Sequence, residues 1–202
     1  MNNNNLNYFF DKKKTKINCP NCNNEITINW IKDNIPYFGD VMYISSICDC
    51  GFKFNDTIML SQKSPCLYSL NIKQKKDLNS RVIKSTSCTI EIPEFGIIIE
   101  PGPISSSYIT NIEGLLKRII DVVLYITNLE RNDIEKYKKG MEIYNSLCKI
   151  KEDPKYSSKN ITIILKDPFG NSKIINQNVK YSILTKKEVD CLKKGIIIID
   201  NK

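Results

Sequence analysis

Cys19-Pro20-Asn21-Cys22 and, after 25 intervening residues, Cys48-Asp49-Cys50-Gly51 are the two turns that decide how the first part of this chain folds. Zinc takes four soft or borderline ligands in a tetrahedron, and two short turns with two thiolates each supply them with little ordering of the chain. Four cysteines leave no open coordination position, so the pattern points to one structural Zn2+ per chain and not to a hydrolytic ion. The second turn has one intervening residue where two are usual, which removes some amide–sulfur hydrogen bonding. Four buried free thiols and a redox-active Cys-x-x-Cys are the rival readings.

Around these turns the chain alternates as strands do. Ile26, Ile28 and Trp30 are separated by polar residues, Val41 to Ser46 reads as the returning strand, and Phe52 and Phe54 share one face of the next. Trp30, Phe52 and Phe54 are expected in the core of this module. Tyr37 and Phe38 stand in a turn flanked by Pro36 and Gly39; packing and partner contact are both open to them. About 40 residues bury too little surface to be stable alone, so a metal staple fits residues 17–57. The opening MNNNNLNYFFDKKKTK has no continuous apolar core and no small-residue cleavage site. It is not a secretory signal, and residues 1–16 read as a disordered, solvated tail.

Residues 58–80 read as a polar linker and the entry to a β domain, which spans 81–202. Ser87 to Ile92 and Phe95 to Glu100 are strands around Pro93-Glu94. Ile112, Leu115, Leu116, Ile119, Ile120, Val123 and Leu124 then fall on one face of a helix, with Thr110 and Glu113 as a capping box. Ile134, Tyr137, Met141, Tyr144 and Cys148 form a second stripe, capped by Asn132. The two pack as a helical hairpin inserted at about 111–149. Strands resume around the turn Asp167-Pro168-Phe169-Gly170. Thr185 with Glu188 caps a short helix that Gly195 ends, and Ile196 to Asp200 reads as a closing strand.

Composition closes most catalytic routes. The 202 residues contain no histidine, which excludes Ser-His-Asp and Cys-His catalysis and every imidazole-ligated metal site. No Gly-rich phosphate loop is present, and no base is available to activate Ser105, Ser106 or Ser107. No apolar run approaches the roughly 18 residues that span a membrane. Without export the eight cysteines sit in a reducing, cytoplasmic compartment and do not imply disulfides. Cys66, Cys88, Cys148 and Cys191 lack partners at ligand spacing and read as small core hydrophobes. The net charge of +8 does not lie on the cysteine module: residues 1–60 hold six basic and six acidic side chains, whereas residues 151–202 hold eleven against six. Phosphate contact needs clustered Lys and Arg, so a nucleic-acid-binding zinc ribbon of transcription or translation is the second reading, not the first.

Six segments stand in order along the chain: CPNC at 19–22, NIPYFGDV at 34–41, CDCGFKFND at 48–56, SRVIKSTSCTIEIPEFG at 80–96, EPGP at 100–103 and TNIEGLLKRI at 110–119. Together they resemble the ZPR-type zinc-finger family, in its single-module archaeal form and not the two-module eukaryotic one. The resemblance implies a mainly β fold with α, in which a four-cysteine zinc ribbon precedes a double-stranded β-helix-like domain carrying a helical-hairpin insertion. It implies Cys19, Cys22, Cys48 and Cys50 as ligands of a structural Zn2+, and no catalytic residue. It also implies a protein partner, translation elongation factor one-alpha, which eukaryotic relatives bind and help to fold. On that analogy Tyr37 and Phe38 are the expected partner contacts.

Overall fold

The computed structural model describes residues 12–36, 39–61, 63–102, 105–156 and 160–193. They form two compact units, the first running to residue 62 and the second starting at Lys63. The first is an antiparallel meander of β1 (Lys12–Asn18), β2 (Glu25–Ile35), β3 (Gly39–Ile47) and β4 (Lys53–Met59), paired in sequence order. β2 starts where the alternation of Ile26, Ile28 and Trp30 predicts, but runs on to Ile35. β1 takes in residues 12–16, expected as tail. Its four lysines leave only Ile17 as an apolar marker, so no period-two pattern shows, yet its backbone pairs with β2 from Lys12↔Ile31 to Asn18↔Glu25.

The second unit begins inside the stretch expected as linker and entry to it. β5 (Cys66–Ile72) and the one-turn helix α1 (Lys75–Leu78) occupy it. Leu70 and Ile72 alternate into the core and are fully buried, a pattern masked in sequence by the charged KQKKD that follows. Then come β6 (Arg81–Lys84), β7 (Thr89–Ile92), β8 (Ile97–Ile99), β9 (Tyr108–Asn111), α2 (Ile112–Leu129), α3 (Ile134–Glu152), β10 (Ile161–Asp167), β11 (Lys173–Ile175), β12 (Lys180–Ile183) and α4 (Lys186–Asp190). The strands form a five-stranded sheet in the order β12-β5-β10-β7-β8 and a three-stranded sheet in the order β11-β6-β9. Val82 and Ile174 of the smaller sheet meet Leu70, Ile90, Ile163 and Leu165 of the larger in one apolar core, which Ile112, Leu115, Leu116 and Ile119 of α2 complete. Of these, the non-consecutive neighbours β5 and β10 pair over their full length, which commits the unit to long-range contacts.

The helical hairpin is present as α2 and α3, with caps one residue later than expected. Asn111 accepts from the Gly114 amide at 2.8 Å, and Asp133 accepts from the Lys136 amide at 3.1 Å. Both side chains serve at those positions for the same reason that Thr110 and Asn132 were candidates, a short oxygen-bearing side chain before an apolar stripe. The capping box of Thr185 and Glu188 forms as predicted, and Cys191 ends α4. Ile196 to Asp200 and Gly195 lie outside the described residues. Core residues of α2 run from Ile112 to Val123 and those of α3 from Ile143 to Ile150, so the hairpin touches the core only at its base. Toward the bend Tyr125, Leu129 and Ile134 are 66%, 65% and 81% exposed, with Val122 and Ile126 beside them on the surface. Ile134 therefore does not lie on a buried stripe; the α3 residues that are buried are Leu147 and Ile150.

A polar knot sits inside the second unit. Asp167, fully buried, accepts hydrogen bonds from the hydroxyls of Ser85, Ser87 and Ser172, each at 2.7 Å, and from the amides of Phe169 and Asn171 at 2.9 and 3.0 Å. A buried carboxyl group is tolerable only with this degree of satisfaction. Lys84 is buried nearby, donates to Ser105 Oγ at 2.7 Å and lies 5.7 Å from the Tyr108 ring centre. Burial pulls its ammonium below the ordinary lysine range, against the opposing pull of Cys88 and Asp167.

Candidate metal centre

Each cysteine turn is closed by its own backbone. In the first, the Cys19 amide donates to the Asn24 carbonyl at 2.8 Å and the Asn23 amide to the Cys19 carbonyl at 2.9 Å. In the second, the Cys48 amide reaches the Phe52 carbonyl at 2.9 Å and the Gly51 amide the Cys48 carbonyl at 3.0 Å. Both turns pass through the left-handed region just after their last cysteine, at Asn23 (φ 62°) and Gly51 (φ 91°). Those are the residue types that accept it at least cost.

The meander brings the turns together. The sulfurs of Cys19, Cys22, Cys48 and Cys50 all lie within 4.8 Å of one another. Cys19 and Cys50 sulfurs are 3.7 Å apart, and those of Cys22 and Cys48 are 3.5 Å apart. A tetrahedron with Zn–S bonds of about 2.3 Å has sulfur–sulfur edges of about 3.8 Å, so these sulfurs fit a zinc ion. Cys19 and Cys48 are buried with Ile26, and Phe52 packs against them, while Cys50 faces solvent. None of the four forms a disulfide, nor does any other cysteine.

In the shortened second turn the backbone amides of Cys50 and Phe52 favour the thiolates of Cys48 and Cys50 respectively. In the first turn the Asn21 amide lies 3.4 Å from Cys19 Sγ. Asn21 also sends its side-chain amide 3.6 Å to Cys50 Sγ, 29 residues away, which sequence spacing gave no reason to expect. The Phe52 amide, with Cys48 and Asn21, holds the Cys50 thiol down at about 6. At Cys48 the Cys50 amide favours the thiolate, but desolvation and the neighbouring sulfurs outweigh it and push that thiol up to about 12. Sulfurs this close resist ionising together, and a divalent cation among them is what lets all four do so.

The remaining candidates are scattered. Tyr37 and Phe38 lie outside the described residues. Phe52 belongs to the metal cluster, but Phe54, expected as core, is 41% exposed on β4, and Trp30 is only half-buried. Cys66 and Cys88 are buried, and burial first of all pushes each thiol up to about 12. Cys148 packs half-buried against the core, whereas Cys191 is exposed at the end of α4, where the short helix has no apolar face to bury it. Among the described residues no helix is long and apolar enough to cross a membrane.

Comparison with known proteins covers both units. Residues 13–61 match the ZPR1 zinc-finger domain, and residues 76–189 match the ZPR1 jelly-roll domain, the two-sheet architecture described above. A ZPR1-like protein of Pyrococcus horikoshii is 38% identical over 184 residues, 90% of this chain and 82% of its own length. One from Methanocaldococcus jannaschii is 37% identical over 188 residues, 92% of each chain. The zinc finger chaperone zpr1 of Schizosaccharomyces pombe is 26% identical over 161 residues, 78% of this chain but 35% of that longer protein. The zinc-finger match and the four-cysteine cluster together give the chain a structural zinc ion. Matched across the ribbon and the jelly roll, and over most of its length by two archaeal relatives, the chain belongs to the ZPR1 family.

Proposed function

We propose that this chain is a zinc-dependent protein-binding factor that assists the folding or assembly of a client, with translation elongation factor one-alpha as the client. Cys19, Cys22, Cys48 and Cys50 are the zinc ligands in this reading, and the ion only holds the ribbon. The observation that carries it is the band of exposed apolar side chains at the end of the helical hairpin, Val122, Tyr125, Ile126, Leu129 and Ile134. Soluble proteins seldom leave such a band uncovered without a partner for it. The name of the fission-yeast relative, a chaperone, supports the same reading. The factor works without catalysis and in the cytoplasm, where its eight cysteines stay reduced.

Capture of purified elongation factor one-alpha on the immobilised chain tests it. Leu129→Ser with Ile134→Ser should weaken capture at least tenfold, about 1.4 kcal/mol, without loss of zinc. Tyr37→Ala with Phe38→Ala should do the same, since aromatic anchors dominate interface energetics. Replacing Lys186, Lys187, Lys193 and Lys194 by Gln should change capture little. If the lysine variant alone fails, and the wild-type chain is retained on nucleic acid at moderate salt, the nucleic-acid reading replaces this one.

A further inference from the structure

We infer that the face of the ribbon around Trp30 is a docking site for an extended protein segment in which an apolar side chain is flanked by carboxylates. Lys13, Thr15, Trp30, Lys32 and Met42 line a concavity of about 350 Å³ there. Their grouping follows from register. Lys13 pairs with Trp30 across β1 and β2, Lys32 is two residues on along the same face of β2, and Met42 pairs with Lys32 across β2 and β3. Trp30 Nε1 donates to Thr15 Oγ1 at 2.8 Å, which fixes the ring and leaves it half-buried. A fixed indole beside a compliant thioether is what an apolar side chain packs against with little ordering cost. The volume lies at the small end of ligand-sized concavities, roughly 300–1,000 Å³.

Charge selects the flanks. Lys12, Lys13 and Lys14 are exposed in succession along β1 and have no carboxylate partner among the described residues, whereas Lys16 and Lys32 are paired with Glu25 and Asp40. β1 is the outer strand of the meander, so its outward backbone groups also have no strand partner among the described residues. Lysines on an edge strand repel basic strands and disfavour neutral ones, against which their ammonium groups would lose water without gaining a counter-charge. They favour an acidic one, which can pair its backbone with β1 and set alternate carboxylates against the lysines on either face. Asp40 and Asp56 share the Trp30 face on β3 and β4, through the pairs Asn34↔Asp40 and Ile44↔Asp56; a segment lying along β1 keeps its carboxylates away from them, whereas a nucleic acid crossing the face would meet them. The inference rests on the protein-binding reading and adds the chemistry of the segment bound.

Trp30 is the only tryptophan in the chain, so its emission reports this site directly in the intact zinc-bound chain. The probe is a synthetic peptide with a central Phe between Asp and Glu residues and no Tyr or Trp. It should shift Trp30 emission saturably and bind at least tenfold more tightly than the same peptide with Ala at the centre. Lys12→Glu, Lys13→Glu and Lys14→Glu together should weaken it at least tenfold, with zinc content unchanged. No saturable shift overturns the inference, as does equal binding of a Lys-flanked peptide or a shift produced only by a short oligothymidylate. Loss of elongation-factor capture with peptide binding intact would count against the client and leave this site standing. Capture that persists while the peptide fails would do the reverse.

Discussion

Asn21 shows how much of a metal site lies outside its ligands. The cysteines are legible in sequence because each pair is held a fixed few residues apart by its own turn. The Asn21 side chain finds Cys50 only once the meander has closed. Groups bonded to ligands tune affinity, and losing one costs roughly 10–100-fold in metal binding. Asn21→Ala should therefore speed zinc transfer to a chromophoric chelator by that order, while its far-ultraviolet spectrum stays that of the wild type; an unchanged rate would make the 3.6 Å contact incidental. The other thiols differ by burial, which sequence cannot supply. At pH 8 a thiol pushed up to about 12 holds almost no thiolate, so Cys66 and Cys88 should resist an aromatic disulfide reagent until the chain is denatured. Cys191, exposed, should react first. Mass spectrometry of partly labelled protein reads the order.

The helices were the clearest elements in the sequence, and their limits are instructive. Seven apolar positions at helical spacing marked the buried face of α2, and five of them are indeed buried. Leu116, fully buried mid-stripe, should cost roughly 2–5 kcal/mol when replaced by Ala, measured by denaturant unfolding. Periodicity alone could not say where along the hairpin the core stops, since an apolar residue at the free end keeps the same spacing as one at the base. Nor could it show why α3 carries Gly140. A Cβ there would run into Thr127 Oγ1 of α2 and lie 2.7 Å from Thr127 Cγ2. Thr127 is itself held, donating to the Val123 carbonyl at 2.7 Å. Gly140→Ala should thus push the helices apart despite its better helix propensity. The expected result is a lower unfolding midpoint, restored in part by adding Thr127→Ala.

At the scale of the whole molecule the two units differ in what holds them. The ribbon has a small cluster built around its cysteines, while the second unit has an extensive core of its own. Structural zinc contributes on the order of 10–16 kcal/mol in small modules, so stripping it with a strong chelator, or Cys22→Ser, should unfold the ribbon. Hydrogen exchange should then rise across β1 to β4 and stay low in β5 and β10; a rise in both would couple the units. The order of strands, two helices and strands was legible from the chain. The sheet pairings were not, because antiparallel partners such as β5 and β10 leave no local mark on either strand. That separation has a temporal side. Every strand of the ribbon neighbours the next in sequence, so it can close as soon as residue 59 and its zinc are available. The buried Asp167, by contrast, draws in Ser85 and Ser87 from about 80 residues earlier and Ser172 from just beyond it. Until that stretch has been synthesised, Ser85 and Ser87 have no acceptor at the centre of their fold, and contacts of such long range form late. A chain growing from the ribosome therefore carries a finished metal module well before its jelly roll can shut, and a chain halted at residue 160 should protect its ribbon from protease while leaving the rest open to cleavage.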